Sequence, residues 1–115
     1  MSTAAFDHTD FTTGRTTTLL DGSTRLVSAI GATWIGRGVY RPGWRWSSHV
    51  GPMTGSSSQA HAGYVVSGAM VVLSSDGIES VVSAGQAWYS GPGHGAWVSG
   101  SEPCIALDFP TDCVV

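Results

Sequence analysis

The chain has 115 residues, a formal net charge of −3 and no lysine; its five basic residues are Arg15, Arg25, Arg37, Arg41 and Arg45. No basic cluster is available to neutralise a phosphate backbone, which excludes nucleic acid as a partner, and no apolar run approaches membrane-spanning length. An apolar share of 42% supports one folded domain, while a charged share of only 11% leaves a surface of Ser, Thr and Gly that a second copy of the chain is expected to cover in part.

Residues 1–14 mix Ser, Thr, Asp and Gly with Phe6 and Phe11 and read as a flexible segment ahead of a single domain over 15–115. Met1 to Asp10 has neither the basic nor the apolar region of a signal peptide, so a cytoplasmic location is expected. The first strands are expected over 16–20 and 25–30, separated by Asp21-Gly22. Over 33–41, Trp34, Gly36 and Gly38 share one face, and Arg37, Val39 and Arg41 share the other. Pro42-Gly43 breaks that run. Trp44, Trp46 and Ser48 then alternate with Arg45, Ser47 and His49 as in a strand, and 51–58 has loop composition. Strand character resumes over 60–66. The runs 69–74 and 78–82 form a hairpin around Ser75-Asp76-Gly77, whose Asp-Gly suits positive backbone angles. Short strands follow over 86–90, 95–99 and 104–109, with Gly91-Pro92-Gly93 and Ser101-Glu102-Pro103 as turns. No helix longer than a turn or two is expected, because Gly, Pro and β-branched residues interrupt every window. Nine or ten short strands with frequent turns imply an all-β sandwich or barrel. Cys104 and Cys113 are too far apart for a zinc clip; two reduced thiols or one bridge both remain open.

The region 41–109 resembles the cupins, jelly-roll barrels of the double-stranded β-helix type. Pro42-Gly43 and His49 match the opening of the first cupin motif, His61 stands at its Glu position, and Gly68 closes it. The hairpin around Asp76-Gly77 matches the intermotif hairpin. Gly85 and Gly91-Pro92-Gly93 match the second motif. The chain departs from the pattern in three places: Gly51 stands where a second histidine is usual, the stretch from His49 to His61 is longer than usual, and Ala96 stands at the usual second-motif histidine position, with His94 two residues earlier.

The resemblance implies one divalent metal, Fe, Mn, Ni, Cu or Zn. Its ligands would be His49, His61 and His94, with Gln59 as a weak oxygen donor. Residues two apart on a strand share a face, so His94 can look into the same interior as the usual ligand. The same histidines also read as polar residues in a barrel mouth that bind no metal. The aromatics suit a pocket for a planar or apolar organic molecule, formed by Tyr40, Trp46, Tyr64, Trp88 and Trp97, with Arg41 as a clamp for a carboxylate. Asp108 would orient a histidine if it faces inward and would be a surface charge if it faces outward.

Three functions follow. The first is a small metal-dependent cupin enzyme with oxygenase, isomerase or lyase chemistry on a small molecule. The second is a metal-free isomerase or cyclase of specialised metabolism that uses His61 and His94 as acid and base. The third is a ligand-binding or sensing cupin without turnover. The resemblance and the low charge together lead to the expectation of a homodimer.

Overall fold

The computed structural model describes residues 5–111. Among the described residues, nine strands form two antiparallel sheets. They are β1 (Arg15–Thr18), β2 (Thr24–Ile30), β3 (Thr33–Tyr40), β4 (His61–Ser67), β5 (Ala69–Leu73), β6 (Glu79–Ser83), β7 (Ala87–Ser90), β8 (Gly95–Val98) and β9 (Cys104–Phe109). The larger sheet runs β1-β2-β3-β9-β4-β7, and the smaller runs β6-β5-β8. This is the expected double-stranded β-helix class, with one difference: the barrel is not closed.

Turn chemistry sets the hairpins. Gly77 takes φ +89 and lets Ser74 donate its N–H to Ile78 O at 2.9 Å, which closes the β5–β6 hairpin. One expectation fails between β3 and β4. The alternation over 44–49 does not make a strand. Arg45 forms a lone bridge to Trp97, and the chain then coils into α1 (Trp46–His49) and α2 (Gly51–Thr54). The reason is local. Pro52 near the start of α2 has its φ pre-set for a helix and needs no N–H partner there, and Gly55 at φ 66 ends the turn. His49 Nδ1 accepts the Arg45 N–H at 3.0 Å and so satisfies a donor at the opening of α1.

The pleat decides what faces inward. On β3, Trp34, Gly36, Gly38 and Tyr40 share the inner face, and β9 places Cys104, Ala106 and Asp108 on the same side of the sheet. Leu19, Trp44, Val65, Met70, Val82, Ala96, Val98, Cys104 and Ala106 make the core. Burial pushes the Cys104 thiol up to about 11, so it stays protonated. Cys113 lies outside the described residues, and the question of its pairing lies there too.

Candidate active site

A cavity of about 340 Å³ opens between the sheets. Its aromatic walls are Trp34, Tyr40, Trp44, Trp46 and Trp88, and Leu19, Met70 and Val72 add aliphatic surface. Small residues make room for them. A Cβ on Gly38 would strike the Tyr40 ring, and one on Gly63 would strike the Trp88 ring and the Leu107 carbonyl.

Two histidines meet at this cavity. His61 heads β4, where it pairs with Ser90 at the end of β7. His94 follows the Gly91-Pro92-Gly93 turn and directly precedes β8. Gly93, at φ +79, donates its N–H to Ser58 O at 3.0 Å, which ties this turn to the 56–60 loop. The ring centroids of His61 and His94 are 4.7 Å apart, with planes at 61°.

The nearest carbonyls define the protons. His94 Nδ1 lies 2.9 Å from Gly91 O, and a carbonyl can only accept, so Nδ1 carries the hydrogen. Ser58 Oγ donates to His94 O at 2.6 Å and lies 3.3 Å from the same Nδ1. His61 Nδ1 faces Gln59 O at 3.3 Å in the same sense. In each ring Nε2 is the nitrogen left for a ligand. Burial holds the His94 pKa below the ordinary 6.5; the Gly91 carbonyl opposes this and His61 adds to it. His94 is therefore a neutral imidazole at pH 7.

A second polar group lines the cavity on the sheet that carries His61. Arg25 Nη2 donates to Asp108 Oδ2 at 2.5 Å, and the guanidinium carbon stands 5.7 Å from the Trp34 ring centroid. Burial, and then the Asp108 carboxylate, push the Tyr40 phenol far above its ordinary range, while Arg25 pulls the other way. Tyr40 thus stays protonated. Asp108 faces inward, but its partner is Arg25 and not a histidine.

The sequence-derived candidates divide. His61, His94, Gln59, Tyr40, Trp46 and Trp88 line the cavity. Tyr64 is exposed on the other face of β4 from His61, Gly63 and Val65, because strand neighbours alternate. Trp97 points away from Ala96 and Val98 for the same reason and carries Arg45 at 4.5 Å from its ring centroid. Arg41 is exposed and donates to Asp21 O at 2.9 Å. His49 is held at α1 and is not among the cavity walls. Arg25, Trp34 and Ser58 are wall residues that sequence reasoning missed. Arg25 left one signal, a lone charge within an otherwise uncharged strand.

The donors at this cavity do not match the metal that the resemblance implies. Among the described residues, no group of three or more His, Cys, Asp or Glu side chains comes together to hold an ion. His61 and His94 provide two imidazoles, Asp108 is engaged by Arg25, and Gln59 offers only an amide oxygen. A catalytic metal of this kind takes three protein ligands, so this donor set does not fit it.

No protein-family model matches the sequence, and no curated protein matches it. Solved structures do. AerE from Microcystis aeruginosa aligns with TM-score 0.68 at 20% identity over 92% of this chain, which spans only 47% of that one. KdgF from a Halomonas species aligns with TM-score 0.62 at 21% identity, covering 94% of each chain. An RmlC-like cupin from Shewanella frigidimarina aligns with TM-score 0.57 at 18% identity over 92% of this chain and 95% of its own. The fold is that of the cupins.

Proposed function

We propose that this chain is a metal-free acid–base enzyme of the isomerase or cyclase type, acting on a small organic molecule inside the cavity. The observation that carries the reading is the His61–His94 pair, with both Nδ1 atoms turned to backbone carbonyls beside an aromatic cavity. His94 is only 5% exposed, and its Nε2 is an unprotonated base placed to take a proton from carbon. The electron pair of the broken C–H bond delocalises into the substrate. The same imidazolium returns the proton at the same or a neighbouring carbon. The net change is an isomerisation, with no oxidant, reductant or co-reactant.

Deuterium exchange tests this. The full chain is incubated in heavy water with phenylacetone, a small enolisable ketone, and the benzylic signal is followed by proton NMR. Exchange above the buffer rate, lost in His94→Gln, supports the proposal. Exchange at the buffer rate with phenylacetone bound would count against it.

A further inference from the structure

Arg25 stands on β2 directly opposite Gly38 of β3, and Gly38 belongs to the inner face, so the Arg25 side chain projects between the sheets. A third of that side chain, 33%, is exposed, and on this face the exposed part borders the cavity that Arg25 lines. Its direction is fixed. Nη2 donates to Asp108 Oδ2 at 2.5 Å, and the guanidinium carbon stands 5.7 Å from the Trp34 ring centroid. Gly36 leaves the space for this pair, since a Cβ there would strike Asp108 and crowd Arg25 Nη2. A guanidinium carries several N–H donors in one plane. Asp108 takes one and the Tyr40 hydroxyl is a further neighbour, which leaves donors for a molecule in the cavity.

Strand register relates this cation to the histidines. Asp108 of β9 pairs with Gly63 of β4, and His61 lies two residues before Gly63 on the same inner face. Diagonal neighbours of this kind stand roughly 7–8 Å apart. His61 in turn meets His94 with ring centroids 4.7 Å apart. The guanidinium and the imidazole pair thus border one cavity of about 340 Å³ from adjoining parts of its wall.

Charge narrows the ligand. Arg25 and Asp108 are the only wall residues of fixed charge, and they offset each other. A carboxylate at Arg25 would also face the Asp108 carboxylate, and like charges repel. An uncharged oxygen accepts from the guanidinium without that repulsion. A carbonyl is the uncharged acceptor that also acidifies the neighbouring C–H, which a base such as His94 requires.

We infer that Arg25 is a catalytic residue of this cavity, its free N–H groups holding the carbonyl oxygen of an uncharged ketone or aldehyde with an apolar body. This deepens the acid–base reading and rests on it for the choice of cavity and reaction. His94 Nε2 takes the proton from the carbon beside the carbonyl. The C–H electron pair moves to oxygen, and the guanidinium stabilises the enolate. The proton then returns from His94 to carbon, and the carbonyl re-forms.

The experiment titrates three ligands of similar shape into the full chain: phenylacetone, isobutylbenzene, which lacks the oxygen, and phenylacetate, which adds a charge. Phenylacetone is expected to bind about tenfold or more tighter than isobutylbenzene, the worth of a hydrogen bond to a charged group, and tighter than phenylacetate. The double variant Arg25→Met with Asp108→Leu leaves no unpaired charge. It should still bind isobutylbenzene but lose the preference for phenylacetone, and its deuterium exchange should fall about a hundredfold. If the double variant does not fold, the three titrations of the unaltered chain decide alone. No binding of phenylacetone, equal binding of phenylacetone and isobutylbenzene, tightest binding of phenylacetate, or a preference that survives in the double variant each overturns the inference. Failure of the acid–base reading looks different: the preference for phenylacetone and its loss in the double variant persist, while exchange by the unaltered chain stays at the buffer rate.

Discussion

The imidazoles of His61 and His94 meet with centroids 4.7 Å apart, and each ring turns its Nδ1 to a backbone carbonyl. The β4–β7 ladder sets one ring beside Ser90, and the turn after Ser90 brings the other back towards it. The contact therefore depends on the glycine-rich turn as much as on either histidine.

The lowered pKa of His94 gives a pH dependence of definite sign. An unfolded histidine binds its proton near the ordinary 6.5, and the folded His94 binds it only at lower pH. Below about pH 6.5 the unfolded state therefore takes up the proton first and stability falls, until the folded ring protonates as well. Urea unfolding at about pH 7.5 and pH 5 should show this loss, and His94→Gln should flatten that part of the profile. For the same reason the acid limb of deuterium exchange should lie below about pH 6.5.

The Arg25–Asp108 pair predicts an asymmetric mutational response. Asp108 is 9% exposed, so Arg25→Met leaves a buried carboxylate without its cation. The expected cost is about 3 kcal/mol, the lower end for buried pairs, because the Arg25 side chain is 33% exposed. The double variant Arg25→Met with Asp108→Leu should recover much of this. Denaturant melts of the single and double variants provide the check; equal stability of Arg25→Met and the unaltered chain would refute the ion-pair account.

Gly63 should tolerate no side chain. An added Cβ meets the Trp88 ring and the Leu107 carbonyl, and the carbonyl is fixed by its sheet. Gly63→Ala is expected to cost about 1–3 kcal/mol through overpacking. Trp88 would have to shift, so the tryptophan emission spectrum should change with the melting temperature.

Metal removal and His49 together separate the two enzyme readings. With two imidazoles and no third strong donor, overnight treatment with a chelator should leave deuterium exchange unchanged. His49→Ala should cost about 1 kcal/mol or less, through loss of its bond to the Arg45 N–H, and should also spare exchange. Stoichiometric metal by elemental analysis, lost in His49→Ala, would reinstate a three-imidazole centre.

Several parts of the site were open to sequence reading. The period-two alternation of Trp34, Gly36 and Gly38 against Arg37 and Val39 is the observed division of faces on β3. The same parity, carried from His61 through Gly63 and Val65, turns Tyr64 outward; the rich aromatic content drew Tyr64 and Trp97 into the expected pocket although alternation argues against both. His49 misled because its neighbours alternate like a strand, whereas Pro52 and Gly55 coil the following residues.

The sequence by itself determined the all-β class and the hairpin at Asp76-Gly77, because turn residues and two-residue alternation are local properties. Only the tertiary structure decided which polar groups meet. Arg25 finds Asp108 because β3 lies between β2 and β9, an order that nothing local encodes. His61 finds His94 because the turn after Ser90 returns the chain beside β4, and His49 does not join them because its Nδ1 is held by the Arg45 N–H at α1. Strand order and backbone path are set by burial of the whole core, and the chemistry of the site follows from them.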